Sequence, residues 1–219
     1  MKKFIHDFKV IKKWLPGSNH VILHLLCPEP LPPIKAGQFA EILIPDEPEV
    51  FLRRPISIHD VDTKNNTISL FVKIVGKGTQ KLSELRVDDT LNLLYPLGQG
   101  FEFPEHDKIL LVGGGCGVAP LLFLAHSLSQ HNYHPDILIG SRNADEIHET
   151  GEYEKYGNLY LITEDGSLGE KGLVTHHIIF KIDEFKYKTV YACGPEGMLR
   201  AVNQKLKGFD IEVFVSLEN

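Results

Sequence analysis

The chain has 219 residues, of which 42% are hydrophobic and 24% are charged, a composition typical of globular proteins and unlike that of disordered chains. Its formal net charge is −6 and its acidic and basic residues are interleaved, which argues against a nucleic-acid-binding protein. No apolar stretch approaches the roughly 20 residues that a membrane span needs. We therefore expect a soluble, unexported protein.

The cysteines and histidines exclude two further classes of protein. Cys27, Cys116 and Cys193 form an odd, widely scattered set, which favours a reducing, cytoplasmic setting over a disulfide framework. The 11 histidines show no metal-ligand spacing, and the adjacent His176 and His177 would point to different faces of a helix. We therefore expect no histidine-bound metal.

In the first half of the chain, apolar residues alternate in short runs that Pro, Gly or Asn separate. The clearest runs are 21–25, 39–44, 67–74 and 91–94. This period is typical of antiparallel strands, and turn signals such as Pro16-Gly17 and Asn65-Asn66 divide five or six of them. The pattern predicts a closed antiparallel β-barrel over residues 1–103, with one short helix near 80–85.

After Pro104 the pattern changes to buried strand, glycine turn, helix and strand again, so we place the domain boundary within 101–106. Such alternation is typical of a doubly wound parallel sheet, and it predicts a nucleotide-binding α/β domain over residues 104–219. The predicted strands are 108–112, 136–140, 159–163, 188–192 and 212–215, and the predicted helices are 120–128, 175–180 and 197–206.

The first of four chemical clusters is Arg53-Arg54-Pro55-Ile56-Ser57, at the start of a predicted strand. The planar guanidinium of an arginine suits phosphate oxygens, and a small hydroxyl can approach the edge of a flavin ring. The alternative is a solvated strand edge that follows a turn.

The second cluster runs from Phe71, Val72 and Lys73 to Gly78 and Thr79, where a strand leads through glycines into a short helix. A helix N-terminus presents free backbone N–H groups, so a pyrophosphate could bind there, which indicates FAD rather than FMN. The alternative is a plain strand-to-helix turn with Thr79 as the N-cap.

The third cluster is a glycine-rich loop that joins a buried strand to a helix. Glycines allow a close approach of the backbone to a pyrophosphate, but Val118 stands where the dinucleotide fingerprint has its third glycine. Ser141 and Arg142 follow the next strand, where Arg142 could hold an adenosine ribose or a 2′-phosphate, so NADH and NADPH both stay open. The loop residues are Gly113, Gly114, Gly115, Cys116 and Gly117.

The fourth cluster is Cys193-Gly194-Pro195, at the end of a predicted strand. A thiol at the carboxyl end of a parallel strand lies where open sheets bind ligands. The alternative is a small apolar residue buried beside a turn.

The order of these four clusters resembles that of the ferredoxin-NADP reductase superfamily, and the resemblance spans essentially the whole chain. It implies that Arg54, Pro55, Ile56 and Ser57 form the flavin motif, with Phe71, Val72 and Lys73 beside the isoalloxazine and Gly78 and Thr79 at the flavin pyrophosphate. It places Gly113 to Gly117 at the nicotinamide dinucleotide, Asp165 and Gly166 near its ribose, and Cys193, Gly194 and Pro195 near the nicotinamide ring. FAD and NAD(H) are the implied cofactors.

Within the superfamily the chain is most similar to the electron-transfer subunits of the NAD-dependent class of dihydroorotate dehydrogenase. The terminal Val215-Ser216-Leu217-Glu218-Asn219 supports this, since a Ser-Leu-Glu stretch in that family leads into a cysteine-rich loop that holds a [2Fe–2S] cluster with four thiolates. The resemblance implies an FMN-containing catalytic subunit as partner, in a 2:2 hetero-tetramer. This chain contains no such loop, so either the sequence is truncated, which we favour, or the protein has lost the cluster.

Flavin and nicotinamide would carry out the difficult chemistry, so no catalytic triad is expected. Ser57 and Lys73 are our candidates for tuning the flavin, and Cys193 for packing against the nicotinamide. The rival hypotheses are the small subunit of a bifurcating transhydrogenase or of a hydrogenase-type complex, and a non-enzymatic flavin or nucleotide sensor.

Overall fold

The computed structural model describes residues 2–45, 47, 49–181 and 185–217. The chain divides into two compact units, Met1–Phe101 and Glu102–Asn219, and each is described by itself. Glu218 and Asn219, which belong to the terminal motif singled out above, lie outside the described residues.

The first unit is a closed barrel of six antiparallel strands, as the alternating pattern predicted. Around the barrel the strands follow the order β1-β2-β5-β4-β3-β6. Its elements are β1 (Phe4–Trp14), β2 (His20–Leu26), β3 (Phe39–Ile42), β4 (Arg54–Asp62), β5 (Thr67–Lys73), α1 (Lys77–Glu84) and β6 (Thr90–Leu97).

Apolar residues of the barrel strands form its core. On β2, Leu23 and Leu25 are fully buried, and they lie opposite Leu70 and Ile68 of β5. Closure of the sheet pairs β1 with both β2 and β6, so this barrel has no free edge of the kind that leaves backbone groups unpaired.

The second unit contains a six-stranded sheet with the order β10-β9-β8-β7-β11-β12, and all neighbouring strands are parallel. The prediction of a parallel-sheet nucleotide domain is confirmed. Its elements are β7 (Ile109–Gly114), α2 (Ala119–Gln130), β8 (Asp136–Ser141), α3 (Thr150–Tyr153), β9 (Asn158–Thr163), β10 (Glu170–Lys171), β11 (Thr189–Gly194), α4 (Glu196–Leu206) and β12 (Glu212–Leu217).

Continuous apolar runs build the central strands because both faces of a parallel sheet are covered. Leu110 and Val112 of β7 are fully buried, and they share a core cluster with Leu199 and Val202 of α4. The chain winds from β7 to one side of the sheet, through β8 to β10, and then to the other side, through β11 and β12. The order therefore reverses between β7 and β11, and such a switch point is where open α/β sheets bind ligands.

The predicted helix over 175–180 is wrong. Two short 3₁₀ helices, Val174–His176 and Ile178–Phe180, occupy this segment. His177 separates them because its backbone is extended, with φ −58° and ψ 148°, and its imidazole Nδ1 accepts a hydrogen bond from the Ile179 N–H. The amphipathic spacing of the segment does not distinguish one helix from two such turns.

A buried carboxylate lies at the amino end of β8, the edge of the sheet opposite the glycine-rich loop. Asp136 accepts hydrogen bonds from Tyr187 Oη at 2.5 Å, Asn158 Nδ2 at 2.8 Å and Lys186 Nζ at 2.8 Å. Burial alone would raise the pKa of Asp136, but these three hydrogen bonds outweigh it and hold the pKa below its ordinary value. This network ties β8 to β9 and to the segment before β11.

Candidate functional site

Each unit presents one cradle of backbone and side chains at which a dinucleotide could bind. We call the first the barrel cradle, formed by Arg54–Ser57 of β4, Phe71–Lys73 of β5 and the start of α1 at Gly76–Thr79. A Cβ placed on Gly78 would lie 3.5 Å from Nε of Arg54. The fold thus brings Gly78 beside Arg54, which lies more than twenty residues earlier in the sequence.

The start of α1 has no side-chain cap. Its N-cap residue is Gly76, with an extended backbone (φ −172°) and no side chain to satisfy the first helical N–H groups. The alternative interpretation, in which Thr79 is the N-cap, is therefore wrong about the cap. Oγ1 of Thr79 instead accepts hydrogen bonds from the N–H groups of Val75 at 2.9 Å and Gly76 at 3.1 Å, which orders the turn before the helix. The positive end of the helix dipole is left for an anion.

Gly78 is in a tight position within this helix start. A Cβ at Gly78 would lie 3.2 Å from Cγ1 of Val50, closer than ordinary van der Waals contact, and 3.4 Å from Cγ1 of Ile44, at the near limit of such contact. A side chain here would push these neighbours or Arg54 aside. The glycine therefore keeps the helix start close to the guanidinium.

The two neighbouring arginines have different roles. Arg53 donates to the backbone oxygens of Glu41 at 3.1 Å and Asn92 at 3.3 Å, and to the Asn92 side chain at 2.5 Å, so it joins β3 to β6. The side chain of Arg54 is half-buried and forms no hydrogen bond or ion pair with any other described residue, although its backbone pairs with Ile42 of β3. Of the two, only Arg54 keeps its donors available for a phosphate.

The remaining predicted flavin residues lie on adjacent strands. Ile58 of β4 is paired with Leu70 of β5, so the neighbouring positions Ser57 and Phe71 also lie side by side. Ser57 and Lys73 are half-buried, whereas Phe71 and Val72 are almost fully buried. Pro55 and Ile56 lie opposite Glu41 and Ala40 of β3.

Sequence reasoning missed two histidines in this region. The ring of His20 stacks on Phe71 with centroids 5.0 Å apart, and the ring of His59 lies 5.5 Å from Phe71. Both histidines are buried, at 4% and 1% exposure. They hold the Phe71 ring in place, and no local motif distinguishes them from the other histidines of the chain.

The nucleotide cradle, in the second unit, is the loop from Gly113 to Val118, which ends β7 and continues as the 3₁₀ helix Gly115–Val118. A Cβ on Gly117 would collide with the backbone of Cys193 and Gly194 at the end of β11. Only a glycine permits this approach, so the third and fourth predicted clusters meet at the switch point between β7 and β11.

The other loop residues complete this cradle. Gly115 has φ +56°, which favours glycine, and no heavy atom would lie within 4 Å of a Cβ there. Gly113 packs against Leu121 and Gly114 against Met198, while Cys116 is half-buried within the 3₁₀ helix. Helix α2 then begins with Pro120 in its first turn and without a side-chain cap, which suits an anion at its start.

Cys193 lies near the carboxyl end of β11, just before Gly194 and Pro195. It is opposite Gly113 of β7, and its side chain is 1% exposed. Gly194 takes a positive φ of 156°, and Pro195 is the N-cap of α4. The predicted residues of the fourth cluster therefore lie beside the glycine-rich loop, with the thiol packed into the sheet.

A tyrosine that sequence reasoning missed supports the nucleotide cradle from α3. The hydroxyl of Tyr153 donates a hydrogen bond of 2.8 Å to the carbonyl oxygen of Val118, the last residue of the loop. Tyr153 is 1% exposed, and burial raises its pKa well above the usual value, with smaller contributions from Glu149 and Cys193. A lone tyrosine in a four-residue helix carries no signal that would identify this role.

The carboxyl ends of β8 and β9 form a third group of polar residues, which we call the rim, made of residues 141–146 and 164–167. Ser141 Oγ donates to the carbonyl of Asn143 at 2.6 Å, and Ser167 Oγ accepts from the N–H of Ala144 at 2.8 Å, so the two loops are joined. Asp165 accepts hydrogen bonds from the side chain and N–H of Ser167, which lower the pKa of its carboxyl. Gly166, beside it, has φ +79°.

The geometry of the two cradles suits phosphate-bearing cofactors. Among the described residues, no three histidine, cysteine, aspartate or glutamate side chains lie close enough to share a metal ion.

None of the described helices has both the length and the apolar character required to cross a membrane.

Known proteins are similar in sequence to this chain over most of its length. Residues 111–204 match the family described as oxidoreductase NAD-binding domain. The dihydroorotate dehydrogenase B (NAD(+)) electron transfer subunit of Fusobacterium nucleatum is 35% identical over 84% of this chain and 71% of its own length. The subunit of the same name from Desulforamulus reducens is 32% identical over 98% of this chain and 82% of its own length.

Solved structures show the same architecture. The NADH-dependent reduced ferredoxin-NADP oxidoreductase superposes with a TM-score of 0.86 and 28% identity, over 96% of this chain and 76% of that chain. The ferredoxin reductase of carbazole 1,9a-dioxygenase superposes with a TM-score of 0.84 at 18% identity, over 98% of this chain and 69% of that chain. At 18% identity, the similarity to the carbazole dioxygenase reductase supports the fold alone.

Proposed function

Because the chain belongs to the family of dihydroorotate dehydrogenase B (NAD(+)) electron transfer subunits, we propose that it carries electrons between NAD(H) and the catalytic subunit of such an enzyme. It is an NAD(P)H–flavin oxidoreductase, and its cofactors are FAD and NAD(H). The observation that carries the assignment of sites is the pair of cradles, one in each unit, each built around a glycine that no larger residue could replace without displacing its neighbours.

The FAD pyrophosphate is assigned to the barrel cradle. The approach of Arg54 to Gly78 supports this, because it places a fixed positive charge beside the uncapped start of α1. Ser57 and Lys73, half-buried near Phe71, are assigned to the flavin ring, where a hydroxyl and an ammonium group can donate hydrogen bonds. Pro55, Ile56 and Val72 complete the wall of this site.

NAD(H) is assigned to the nucleotide cradle. The pyrophosphate would lie on the loop from Gly113 to Gly117, which packs closely against Cys193 and Gly194 at the switch point between β7 and β11. Cys193, Gly194 and Pro195 would meet the nicotinamide end. Ser141, Arg142, Asp165 and Gly166 of the rim would meet the adenosine ribose.

When bound, FAD would supply an acceptor for the hydride of NADH that can pass the two electrons on one at a time. The protein's own contribution is to bind and orient, since this transfer needs no protein acid or base. Arg54 and the start of α1 hold the flavin phosphates, and the Gly113–Val118 loop holds those of the nicotinamide dinucleotide. Cys193, whose thiol is packed into the sheet, would contribute a small apolar side chain at the end of β11.

The proposed partner is an FMN-containing catalytic subunit that oxidises dihydroorotate to orotate in pyrimidine biosynthesis, in a 2:2 complex. The described residues do not fit the [2Fe–2S] cluster of the family. Cys27, Cys116 and Cys193 are on separate elements, and such a cluster needs four thiolates close together. We therefore derive no electron-transfer step through a cluster from these residues.

A second candidate is the NADH-oxidising subunit of a complex that reduces another acceptor. The likeness to the NADH-dependent reduced ferredoxin-NADP oxidoreductase supports it, since 28% identity extends over 96% of this chain. The two candidates share both cradles and differ only in the acceptor. The higher identity to the electron transfer subunits, over comparable lengths, favours the first.

The test uses the purified chain loaded separately with FAD and FMN. We expect tighter retention of FAD, and we expect NADH to bleach the flavin absorbance under anaerobic conditions. Addition of the catalytic subunit should then couple NADH and orotate turnover, whereas ferredoxin should not accept the electrons. A flavin that stays oxidised in NADH would contradict the oxidoreductase assignment and favour a nucleotide sensor.

A further inference from the structure

The rim contains an arginine whose charge is already compensated. Two hydrogen bonds join Arg142 to Glu146, from Nη2 to Oε1 at 2.5 Å and from Nε to Oε2 at 3.4 Å. The Arg142 side chain is 65% exposed, whereas that of Glu146 is only 16% exposed. Glu146 is thus the anchored partner, and Arg142 folds back onto it in a forked arrangement.

Local backbone structure holds Glu146 in place. It ends the 3₁₀ helix Ala144–Glu146, and its N–H donates to the carbonyl of Asn143 at 3.3 Å. The same turn is joined to the neighbouring loop through Ala144 and Ser167. These contacts fix the backbone from which the half-buried Glu146 side chain extends toward Arg142.

The position of this ion pair matters because of the sheet topology. β8 lies next to β7 in register, with Gly140 opposite Gly114, and Arg142 follows the end of β8. In open parallel sheets, a dinucleotide with its pyrophosphate on the loop after the first strand presents its adenosine ribose to the end of the neighbouring strand. A ribose 2′-phosphate would arrive at this rim.

The other charges of the rim are mostly negative. Asp145, Glu164 and Asp165 join Glu146 there, and Glu164 also acts electrostatically on Arg142. One further cation is near, since the stem of Lys171 packs against Gly166. A 2′-phosphate carries between about −1.5 and −2 charges at neutral pH, so it would meet net negative charge and an arginine whose own charge is already paired with Glu146.

We propose that Glu146 is a specificity-determining residue, which selects NADH against NADPH by engaging Arg142, the residue that would otherwise bind a 2′-phosphate. This inference rests on the assignment of NAD(H) to the nucleotide cradle. The unphosphorylated ribose loses nothing by the ion pair, since its 2′-hydroxyl can donate to a rim carboxylate. Removal of the Glu146 charge should release Arg142 as a phosphate ligand.

The experiment compares Glu146→Gln with the wild-type chain in two measurements. The first is binding of adenosine 2′,5′-bisphosphate and of AMP, followed by calorimetry, which requires no activity. The second is kcat/KM for NADPH and NADH with the FAD-loaded chain and an artificial acceptor. For Glu146→Gln we expect affinity for the bisphosphate and kcat/KM for NADPH to rise by about tenfold or more, with AMP and NADH changed less than about threefold.

Two further variants isolate the cause of this gain. Arg142→Ala combined with Glu146→Gln should remove the gain, because the phosphate ligand is then absent. Glu152→Gln, which breaks an exposed ion pair with Lys155 outside the rim, should leave both nucleotide preferences unchanged. Higher salt should reduce the gain, since the new contact is between charges.

The outcomes distinguish this inference from the proposed function. If Glu146→Gln oxidises NADH normally but gains no affinity for the bisphosphate and no NADPH activity, the inference is wrong and the proposed function stands. If the bisphosphate binds more tightly while NADH never reduces the flavin in any variant, the inference holds for nucleotide binding and the oxidoreductase function is wrong. A gain that persists without Arg142 would also overturn the inference.

Discussion

The barrel cradle and the nucleotide cradle arrange their phosphate sites in different ways. In the barrel, the charged side chain of Arg54 lies beside the start of α1. In the second unit the loop is rich in glycine and carries no charged side chain, and it packs so closely on β11 that Gly117 cannot carry a Cβ. One site depends on an electrostatic contact and the other on close packing, so the two should respond to mutation differently.

The largest effect is expected from Gly117→Ala. The added methyl group would collide with the backbone of Cys193 and Gly194, which cannot rotate away as a side chain can. We expect a loss of about 3 kcal/mol in the free energy of unfolding, from overpacking, and roughly hundredfold slower flavin reduction by NADH. Urea unfolding and anaerobic stopped-flow measurements check the two parts.

Gly151→Ala is the matched control, because nothing would lie within 4 Å of a Cβ there and the residue is within α3. It should leave stability and NADH oxidation near those of the wild type. If Gly117→Ala behaved like this control, the close packing of the nucleotide cradle would not be needed, and the contrast with the barrel cradle would disappear.

The second effect is on the barrel cradle. Arg54→Ala removes a charge-assisted contact to phosphate, which is typically about 1.5–3 kcal/mol, so the Kd for FAD should rise roughly 10- to 100-fold. The stability of the flavin-free chain should change little, because the Arg54 side chain has no hydrogen-bond partner among the described residues. Flavin titration and thermal unfolding of the apoprotein measure these separately.

Two other arginines test whether position or charge matters. Arg53→Ala should destabilise the apoprotein, since Arg53 joins β3 to β6 by its hydrogen bonds. Arg86→Ala, at an exposed position of the same unit, should affect neither property. Unchanged FAD binding in Arg54→Ala would contradict the claim that the barrel cradle binds phosphate through the charge of Arg54.

A third prediction concerns the edge of the parallel sheet that neither cradle uses. The pKa of Asp136 is lower in the folded chain than in the unfolded chain, where it is about 3.9. Its contribution to stability is therefore complete above the unfolded pKa and is lost as the pH falls through the folded pKa. Asp136→Asn should cost about 2 kcal/mol at pH 7, and less in acid, while nucleotide binding persists.

Urea unfolding of both proteins across roughly pH 3 to pH 7 checks this prediction. Asp107→Asn, an exposed residue just before β7, is the control and should not alter the pH dependence. An equal cost of Asp136→Asn at all pH values would show that the carboxylate charge does not contribute. A loss of nucleotide binding would mean that the two edges of the sheet are not independent.

The smallest effect is expected from Tyr153→Phe, which removes one buried hydrogen bond to the carbonyl of Val118. The expected cost is about 1 kcal/mol, seen as a severalfold higher KM for NADH with little change in kcat or in FAD binding. Tyr133→Phe removes a similar bond, to the carbonyl of Pro104, and should not change the KM. A KM unchanged in both variants would show that α3 does not position the loop.

Local patterns predicted most elements because period and turn chemistry are encoded within a few neighbouring residues. The barrel strands, the glycine-rich loop and α4 follow from such patterns. The segment 175–180 was predicted as one helix because apolar spacing cannot reveal that His177 is extended. Tyr153, His20 and His59 were missed because their roles depend on residues distant in the sequence.

By itself, the sequence determined the two fold classes and the glycine and arginine motifs, because hydrophobic period and special backbone requirements are properties of short segments. Only the tertiary structure decided which arginine of the Arg53-Arg54 pair is committed to the barrel, and which carboxylate engages Arg142. The same holds for the need for glycine at position 117, which comes from a strand more than seventy residues away. These features depend on contacts between distant parts of the chain, and local sequence carries no record of them.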